Sequence, residues 1–314
     1  MKVLIAGSGT TGGLLGARLI ERGIDTTFCV RPRRKAQLLT TGLRLYSPYG
    51  RFRRHVSAIT PDEITTQFDV VVIAPRAHSY GDAVKAVQMA FGPSSIIVPI
   101  VEGADHLQSE LIHGGHLIGG RLEARISIDA DGFLGQRGPV AELSLGAYDP
   151  LDTERAEWLA HFLGGRGLKA MVVPRIGDAI WDRYCFSAAC VAVNASTGTS
   201  VRDAIRSTSH ITSFDRLMAE ASNVGRKIGL QPRPGELARY RSAYRMESRP
   251  VQPPALITDG GARADEAVYL LVEMVEIATR AGVPVPRLRA ARDRLLRPSL
   301  TTATTVDGDD VEAA

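Results

Sequence analysis

The segment Gly7-Ser8-Gly9-Thr10-Thr11-Gly12 constrains this chain more than any other. It is a G-x-G-x-x-G run, and its weight comes from its setting. Val3-Leu4-Ile5-Ala6 before it is a short apolar stretch, as a strand buried on both faces requires. After it, Leu14, Leu15, Ala17, Arg18, Leu19 and Ile20 follow a helical pattern that Gly23 stops. Thr26-Thr27-Phe28-Cys29-Val30 then reads as a second strand. In such a unit the first glycine permits a tight turn and the second lets a diphosphate approach the backbone. The third lets helix and strand pack closely. The helix N-terminus adds amide donors and a partial positive charge. Gly7, Ser8, Gly9, Thr10, Thr11 and Gly12 are therefore read as a dinucleotide-binding loop.

The end of the second strand selects the dinucleotide. An NAD site places an acid there to accept the ribose 2′-hydroxyl. Here the strand runs into Arg31-Pro32-Arg33-Arg34-Lys35, and the nearby acid, Asp25, precedes the strand. Arg31, with Arg33 or Arg34, would form charge-assisted hydrogen bonds to a 2′-phosphate, which predicts NADP, bound as NADPH.

Further along, strands and helices keep alternating. A short helix is expected over 32–40, then a strand over 42–46 and an edge strand in which Arg51, Arg53, Arg54 and His55 flank Phe52. Asp69 opens the core strand Val70-Val71-Val72-Ile73-Ala74, followed by a helix over 80–91 and a strand through Ile96-Ile97-Val98. Partly exposed strands are expected across 117–148, a helix over 153–163 and a last strand over 169–173. Beyond Pro174 the pattern turns helical. Asp178 is read as the cap of a helix running into the 190s. Phe214, Leu217, Met218, Ala221, Val224 and Ile228 form one amphipathic stripe, and Ala264, Val268, Leu271, Val275 and Ala278 another. Pro232, Pro234, Pro250, Pro253 and Pro254 predict a long loop between them. The fold class that follows is α/β, an N-terminal Rossmann-type doubly wound sheet followed by an all-helical C-terminal domain. The expected division is an NADP-binding domain at 1–174, a helical substrate and catalytic domain at 175–300 and a polar tail at 301–314.

Composition narrows the function classes. Lysine plus arginine exceed aspartate plus glutamate by 38 − 34, or +4 over 314 residues, too little to require nucleic acid or an anionic membrane. No apolar run approaches the roughly 18 residues of a membrane span. The apolar stretch after Met1-Lys2 is too short for an exported leader, so a cytoplasmic location is expected. Cys29, Cys185 and Cys190 fit no zinc spacing and read as reduced, packed thiols. His113 and His116 flank Gly114-Gly115 in a loop, and no metal site is expected there.

The ordered set of segments resembles the ketopantoate reductase (2-dehydropantoate 2-reductase) family over roughly residues 1 to 296. It rests on residues 2–12, Arg31, Gly42-Leu43-Arg44-Leu45, residues 69–77, Trp181-Asp182-Arg183 and Ala281-Gly282-Val283-Pro284-Val285-Pro286. The resemblance implies reduction of a 2-oxo acid by NADPH in a cleft between two domains. The family's acid is a lysine two positions after a tryptophan, and that position here is Arg183. A second family lysine corresponds to Arg76, and a family asparagine before a glycine corresponds to Glu102. The family's asparagine four residues beyond the lysine becomes Ser187, while Asn194 lies too far along to inherit its role. The family's glutamate, sixteen positions before the glycine of Gly-Val-Pro, is retained as Glu266.

These departures are chemical. A lysine's pKa can be drawn toward neutrality so that it donates a proton, whereas arginine stays charged. Arg183 would therefore stabilise a forming oxyanion, with the proton coming from water, Glu266 or His78. His106 reads either as an exposed side chain or as a further catalytic candidate. Glu102 adds a negative charge where an anionic substrate should sit, so either it pairs with Arg76 or Arg183 or the substrate is not a simple 2-oxo carboxylate. Pairing is expected, because a lone buried carboxylate is costly. The resulting assignment is Arg183 and Glu266 as catalytic, and Arg76, Glu102 and Ser187 as substrate-binding. The expected activity is an NADPH-dependent reductase acting on a small, 2-oxo acid-like carbonyl compound. An authentic 2-dehydropantoate 2-reductase using arginines, and a non-catalytic NADP(H)-binding sensor or partner protein, are the alternatives. A small-molecule carbonyl substrate is the expected partner, with no nucleic acid and no membrane. The sequence is compatible with a homodimer but contains no feature that requires one.

Overall fold

A computed structural model describes residues 1–103, 112–198, 203, 206–246 and 262–297. The chain opens with β1 (Lys2–Ala6), α1 (Thr10–Glu21), β2 (Asp25–Cys29), α2 (Pro32–Thr41), the hairpin β3 (Leu43–Ser47) and β4 (Gly50–Arg54), and β5 (Ser57–Ile59). It continues through β6 (Val70–Ile73), α3 (Tyr80–Val87), β7 (Ile96–Pro99), β8 (His116–Ile128), β9 (Phe133–Ala147), α4 (Thr153–Leu163) and β10 (Leu168–Val172). Helices follow: α5 (Ile176–Thr197), α6 (Thr208–Lys227), α7 (Pro234–Met246), α8 (Ala262–Arg280) and α9 (Pro286–Leu296).

The Rossmann part is the parallel run β5-β2-β1-β6-β7-β8. β1 and β6 lie at its centre with Val3, Leu4, Ile5, Val70, Val71, Val72 and Ile73 fully buried, which explains their unbroken apolar runs. The sheet does not stop at β8. β9 returns antiparallel to β8 and runs parallel both to β3 and to β10, so the β3–β4 hairpin joins the same sheet. β4 is an edge strand in which Phe52 is buried while Arg51, Arg53 and Arg54 face out. An aqueous outer face accounts for the basic cluster.

The second apolar cluster forms around α5, which is buried along most of its length. Trp181 donates Nε1 to the Ala221 carbonyl at 3.2 Å, and Tyr184 donates its hydroxyl to the Leu270 carbonyl at 2.7 Å. Burying these amphipathic rings therefore leaves no orphaned polar tip. Leu271, Val275 and Ala278 are buried as their stripe requires, while the side chain of Ala264 lies outside the described residues.

Three expectations are corrected. α5 begins two residues ahead of Asp178, so this carboxylate is no cap. It accepts instead from Arg175 Nε at 2.5 Å and from the Gln231 amide at 2.8 Å. Ile228 falls just past the end of α6 and is 42% exposed. The segment after Pro232 is helical rather than looped, because a proline at the first helical position forfeits no hydrogen bond. Pro250, Pro253, Pro254 and the tail at 301–314 lie outside the described residues.

α2 is tied to the 3₁₀ turn Pro61–Glu63 that follows β5. Glu63 accepts from Lys35 Nζ and, at 2.6 Å, from the Thr60 amide. The hydrogen bond from Lys35, then those from Thr60, lower the Glu63 pKa from 4.5 to about 2. Because the folded value lies below the unfolded one, the contribution is complete above about pH 5 and fades as pH falls toward 2. Glu63→Gln should therefore lower Tm at pH 7, and the gap from wild type should close in thermal melts taken down to pH 2.5. A constant gap across that range would show that the carboxylate charge is irrelevant.

Candidate active site

The glycine loop joins β1 to α1 at the C-terminal edge of the parallel strands. Gly7 has φ +102°, and a methyl group there would lie 2.7 Å from the Ala74 carbonyl oxygen. A methyl group on Gly12 would lie 2.1 Å from the Gly7 carbonyl oxygen and 3.0 Å from Ile5 Cγ2, so this glycine sets the helix–strand distance. At Gly9 the same addition meets nothing within 4 Å. The three positions thus divide into a turn, an open approach and a close packing contact, as a dinucleotide diphosphate requires. Thr10 and Thr11 form the first turn of α1, aiming its amide end at the loop.

The basic segment after β2 does not act as a uniform cluster. Arg31 and Arg33 are exposed at the start of α2. Arg34 instead lies on the loop, donating Nε to Ser8 Oγ at 2.8 Å and Nη2 to the Ser8 carbonyl at 3.1 Å. Burial first, and then the charge of Arg44, draw the Arg34 pKa below the ordinary arginine value. β8 and β9 turn beside it, with the Asp131 carbonyl accepting from Gln37 and Arg44. Asp25 sits at the opposite end of β2.

α5 presents Arg183 and Ser187 one turn apart on the same face. Both reach Glu102, which follows β7. Arg183 Nε donates to Glu102 Oε1 at 3.2 Å, and Ser187 Oγ donates to the same oxygen. Of the two pairings open to Glu102 from the sequence, the structure shows the one with Arg183. The Arg183 guanidinium also lies 5.9 Å from the Phe186 ring centre and 5.6 Å from that of Tyr240. The Arg183 and Glu102 side chains retain 20% and 18% of their exposure, so the pair is partly desolvated yet reachable.

Glu266 lies in the first part of α8. It accepts from the Ala77 amide at 3.3 Å and so bears on the turn that carries Arg76 and His78, both exposed. His78 meets the Tyr269 ring edge-on at 6.4 Å. Asn194 is eleven residues beyond Arg183 on α5, about 16 Å along the helix axis, and is not brought to Glu102. His106 lies outside the described residues.

Sequence reading missed a second polar group behind Arg183. Tyr240 on α7 donates to Glu123 Oε1 at 2.5 Å and accepts from Arg121 Nη1 at 2.5 Å, both partners being on β8. Arg239 reaches Glu123 Oε2 at 3.2 Å. Burial would raise the Glu123 pKa, but Arg121, the Tyr240 hydrogen bond, Arg239 and Arg183 outweigh it and hold the value low. The signal was hidden because α7 was read as loop and β8 as partly exposed strand.

Other reactive groups are quiet. Burial raises the Cys29 thiol to about 11 and the Cys185 and Cys190 thiols further. A thiolate nucleophile is therefore absent from these positions near neutrality. His116 Nδ1 lies 2.9 Å from Asp152 Oδ1, and His113 is exposed. Among the described residues no group of three histidine, cysteine or carboxylate side chains is placed to hold a metal. No described helix is long and apolar enough to cross a membrane.

The family model for ketopantoate reductase PanE/ApbA matches residues 3–149, and the model for its C-terminal part matches residues 175–295. The chain belongs to the ketopantoate reductase family. It is therefore an oxidoreductase of a family that binds nicotinamide cofactors. Among its relatives, the uncharacterised oxidoreductase YkpB of Bacillus subtilis is 28% identical over 296 residues, covering 92% of this chain and 95% of that one. The 2-dehydropantoate 2-reductase of Mesorhizobium japonicum is 24% identical over 74% of this chain and 78% of its own length. The PanE/ApbA family ketopantoate reductase from Ralstonia eutropha superposes with a TM-score of 0.79 at 21% identity, over 94% of this chain and 97% of that one. D-mandelate dehydrogenase, solved with NADH and anilino(oxo)acetate, gives a TM-score of 0.83 at 15% identity over 94% and 97%. At these identities the two structural likenesses speak for the shared ketopantoate reductase fold.

Proposed function

We propose that this chain is an NADPH-dependent reductase of a small, 2-oxo acid-like carbonyl compound, bound where Arg183 and Ser187 of α5 meet Glu102. The observation that carries the reading is the fixed guanidinium of Arg183, held by Glu102 and flanked by two rings. A preorganised cation of this kind stabilises charge developing on a carbonyl oxygen without having to reorganise. The glycine loop, Ser8, Thr10 and Thr11 would hold the dinucleotide, with Arg31 and Arg34 toward a 2′-phosphate. When bound, the reduced nicotinamide supplies hydride to the carbonyl carbon. Arg183 polarises the carbonyl and keeps its own proton, so the alkoxide takes a proton from water or from Glu266. Arg76 and Ser187 orient the substrate. Glu266, through the Ala77 amide, fixes the turn that carries Arg76.

Turnover is tested by following NADPH oxidation across a panel of 2-oxo acids, including ketopantoate, together with ketones and imines. Tight NADPH binding with no oxidation on any of them would favour a non-catalytic NADP(H)-binding protein instead. The cofactor preference is tested separately. A charge-assisted hydrogen bond contributes about 1.5–3 kcal/mol, so Arg31→Ala and Arg34→Ala should each weaken NADPH by roughly 10- to 100-fold. NADH, lacking the phosphate, should lose far less in the same calorimetric titrations. Equal losses for both dinucleotides would remove the 2′-phosphate assignment.

A further inference from the structure

Glu102 sits where a substrate's own anion would compete with it. Its Oε1 takes hydrogen bonds from both Arg183 Nε and Ser187 Oγ, the two α5 donors that a ligand carboxylate beside the carbonyl would need. We propose that Glu102 is a resident anion of the substrate site and a specificity-determining residue. It selects carbonyl compounds bearing a hydrogen-bond donor (hydroxyl, amine or amide N–H) beside the carbonyl, and disfavours those bearing a carboxylate there. The inference rests on the reductase reading for the position of the carbonyl at Arg183, and it narrows that reading's 2-oxo acid-like substrate to the uncharged analogues of 2-oxo acids.

The argument is steric and electrostatic. A carbonyl oxygen held by Arg183 places the substituents of its carbon within a few bond lengths of Glu102. A carboxylate among them would meet like charge in a partly desolvated space and would contend for the same guanidinium. An N–H or O–H group there would instead donate to a carboxylate, which offers about four acceptor sites. The pair is 3.2 Å apart and partly buried. Arg183 is flanked by Phe186 and Tyr240. Glu102 precedes Gly103, whose φ is +112° and whose backbone packs on α8 so closely that a methyl group would come 2.9 Å from Glu273 Oε2. Unfavourable charge placed against the wrong ligand is a recurrent source of specificity.

Pyruvate and pyruvamide test this, being nearly isosteric and differing in a carboxylate against an amide. Each is titrated calorimetrically into protein saturated with the oxidised dinucleotide, which has no hydride to transfer. Wild type should bind pyruvamide at least about tenfold more tightly than pyruvate. Glu102→Gln, which removes the charge and keeps the shape, should bring the two Kd values within about threefold by strengthening pyruvate. Ser187→Ala keeps the charge and should keep the amide preference. A wild-type preference for pyruvate, equal affinities, no binding of either ligand, or a preference that survives Glu102→Gln would each overturn the proposal. If Glu102→Gln does not fold, the wild-type ratio and Ser187→Ala decide alone. Failure to take up any dinucleotide would remove the reductase reading, whereas ligand results on the loaded protein bear on Glu102.

Discussion

Gly12→Ala is expected to abolish dinucleotide binding and to lower the melting temperature, whereas Gly9→Ala should lose binding with the melting temperature unchanged. The contrast follows from what each new methyl group meets. At Gly12 it meets a backbone carbonyl at 2.1 Å, and neither that carbonyl nor fully buried Ile5 has a rotamer into which to retreat. α1 must then move away from β1, which overpacks the centre of the sheet at a cost of about 1–3 kcal/mol or more. Tm should fall by roughly 2–5 °C. The same displacement swings the amide end of α1 off the diphosphate. At Gly9 the methyl group occupies open space, so the folded chain is untouched, but the surface on which a diphosphate must lie is blocked. Calorimetric titration and thermal melts of both variants separate these effects. Normal dinucleotide affinity in Gly9→Ala would mean that the loop is only structural.

The second large effect concerns Arg183. With whichever carbonyl compound the wild type reduces, Arg183→Ala should lower kcat by about 10²–10³-fold, the usual loss when a preorganised oxyanion donor is removed. Dinucleotide affinity should not change, because the glycine loop lies on other elements. Added guanidinium should restore part of the rate by re-entering the space between Glu102 and the two rings. A merely structural arginine would show a drop in Tm without chemical rescue, and that result would move the chemistry elsewhere. Arg183→Lys supplies a further readout. A lysine here has a pKa that surroundings can lower, so gain of 2-oxo acid reduction together with an alkaline limb, the rate falling as pH rises through the lysine's pKa, would show that the arginine had replaced a proton donor.

The glycine loop was fully legible because its information is local. Its residues are adjacent in sequence, Gly7 takes a positive φ in the turn itself, and what crowds Gly12 is Gly7 and Ile5 close by in the chain, although the close approach of Ala74 to Gly7 is tertiary. The alternation of strands and helices was legible for the same reason, as was the buried stripe of α6. Arg183, Glu102 and Ser187 could be nominated by resemblance, and the i, i+4 spacing already placed two of them on one helical face. Their meeting is a different matter, since Glu102 is more than eighty residues distant in sequence.

Periodicity and local turn chemistry thus determined the glycine loop and the fold class, while the residues nominated for catalysis came from the family resemblance. Only the tertiary structure decided that Arg34 lies on Ser8 while Arg31 stays exposed, that Glu102 pairs with Arg183, and that Tyr240, Arg121 and Glu123 stand behind it. It also decided that β9 carries the β3–β4 hairpin into the main sheet. The physical reason is common to all of these. Such contacts depend on how separate elements pack, and the free energy of packing resides in burial and pairing between residues far apart in the chain, which no local pattern encodes.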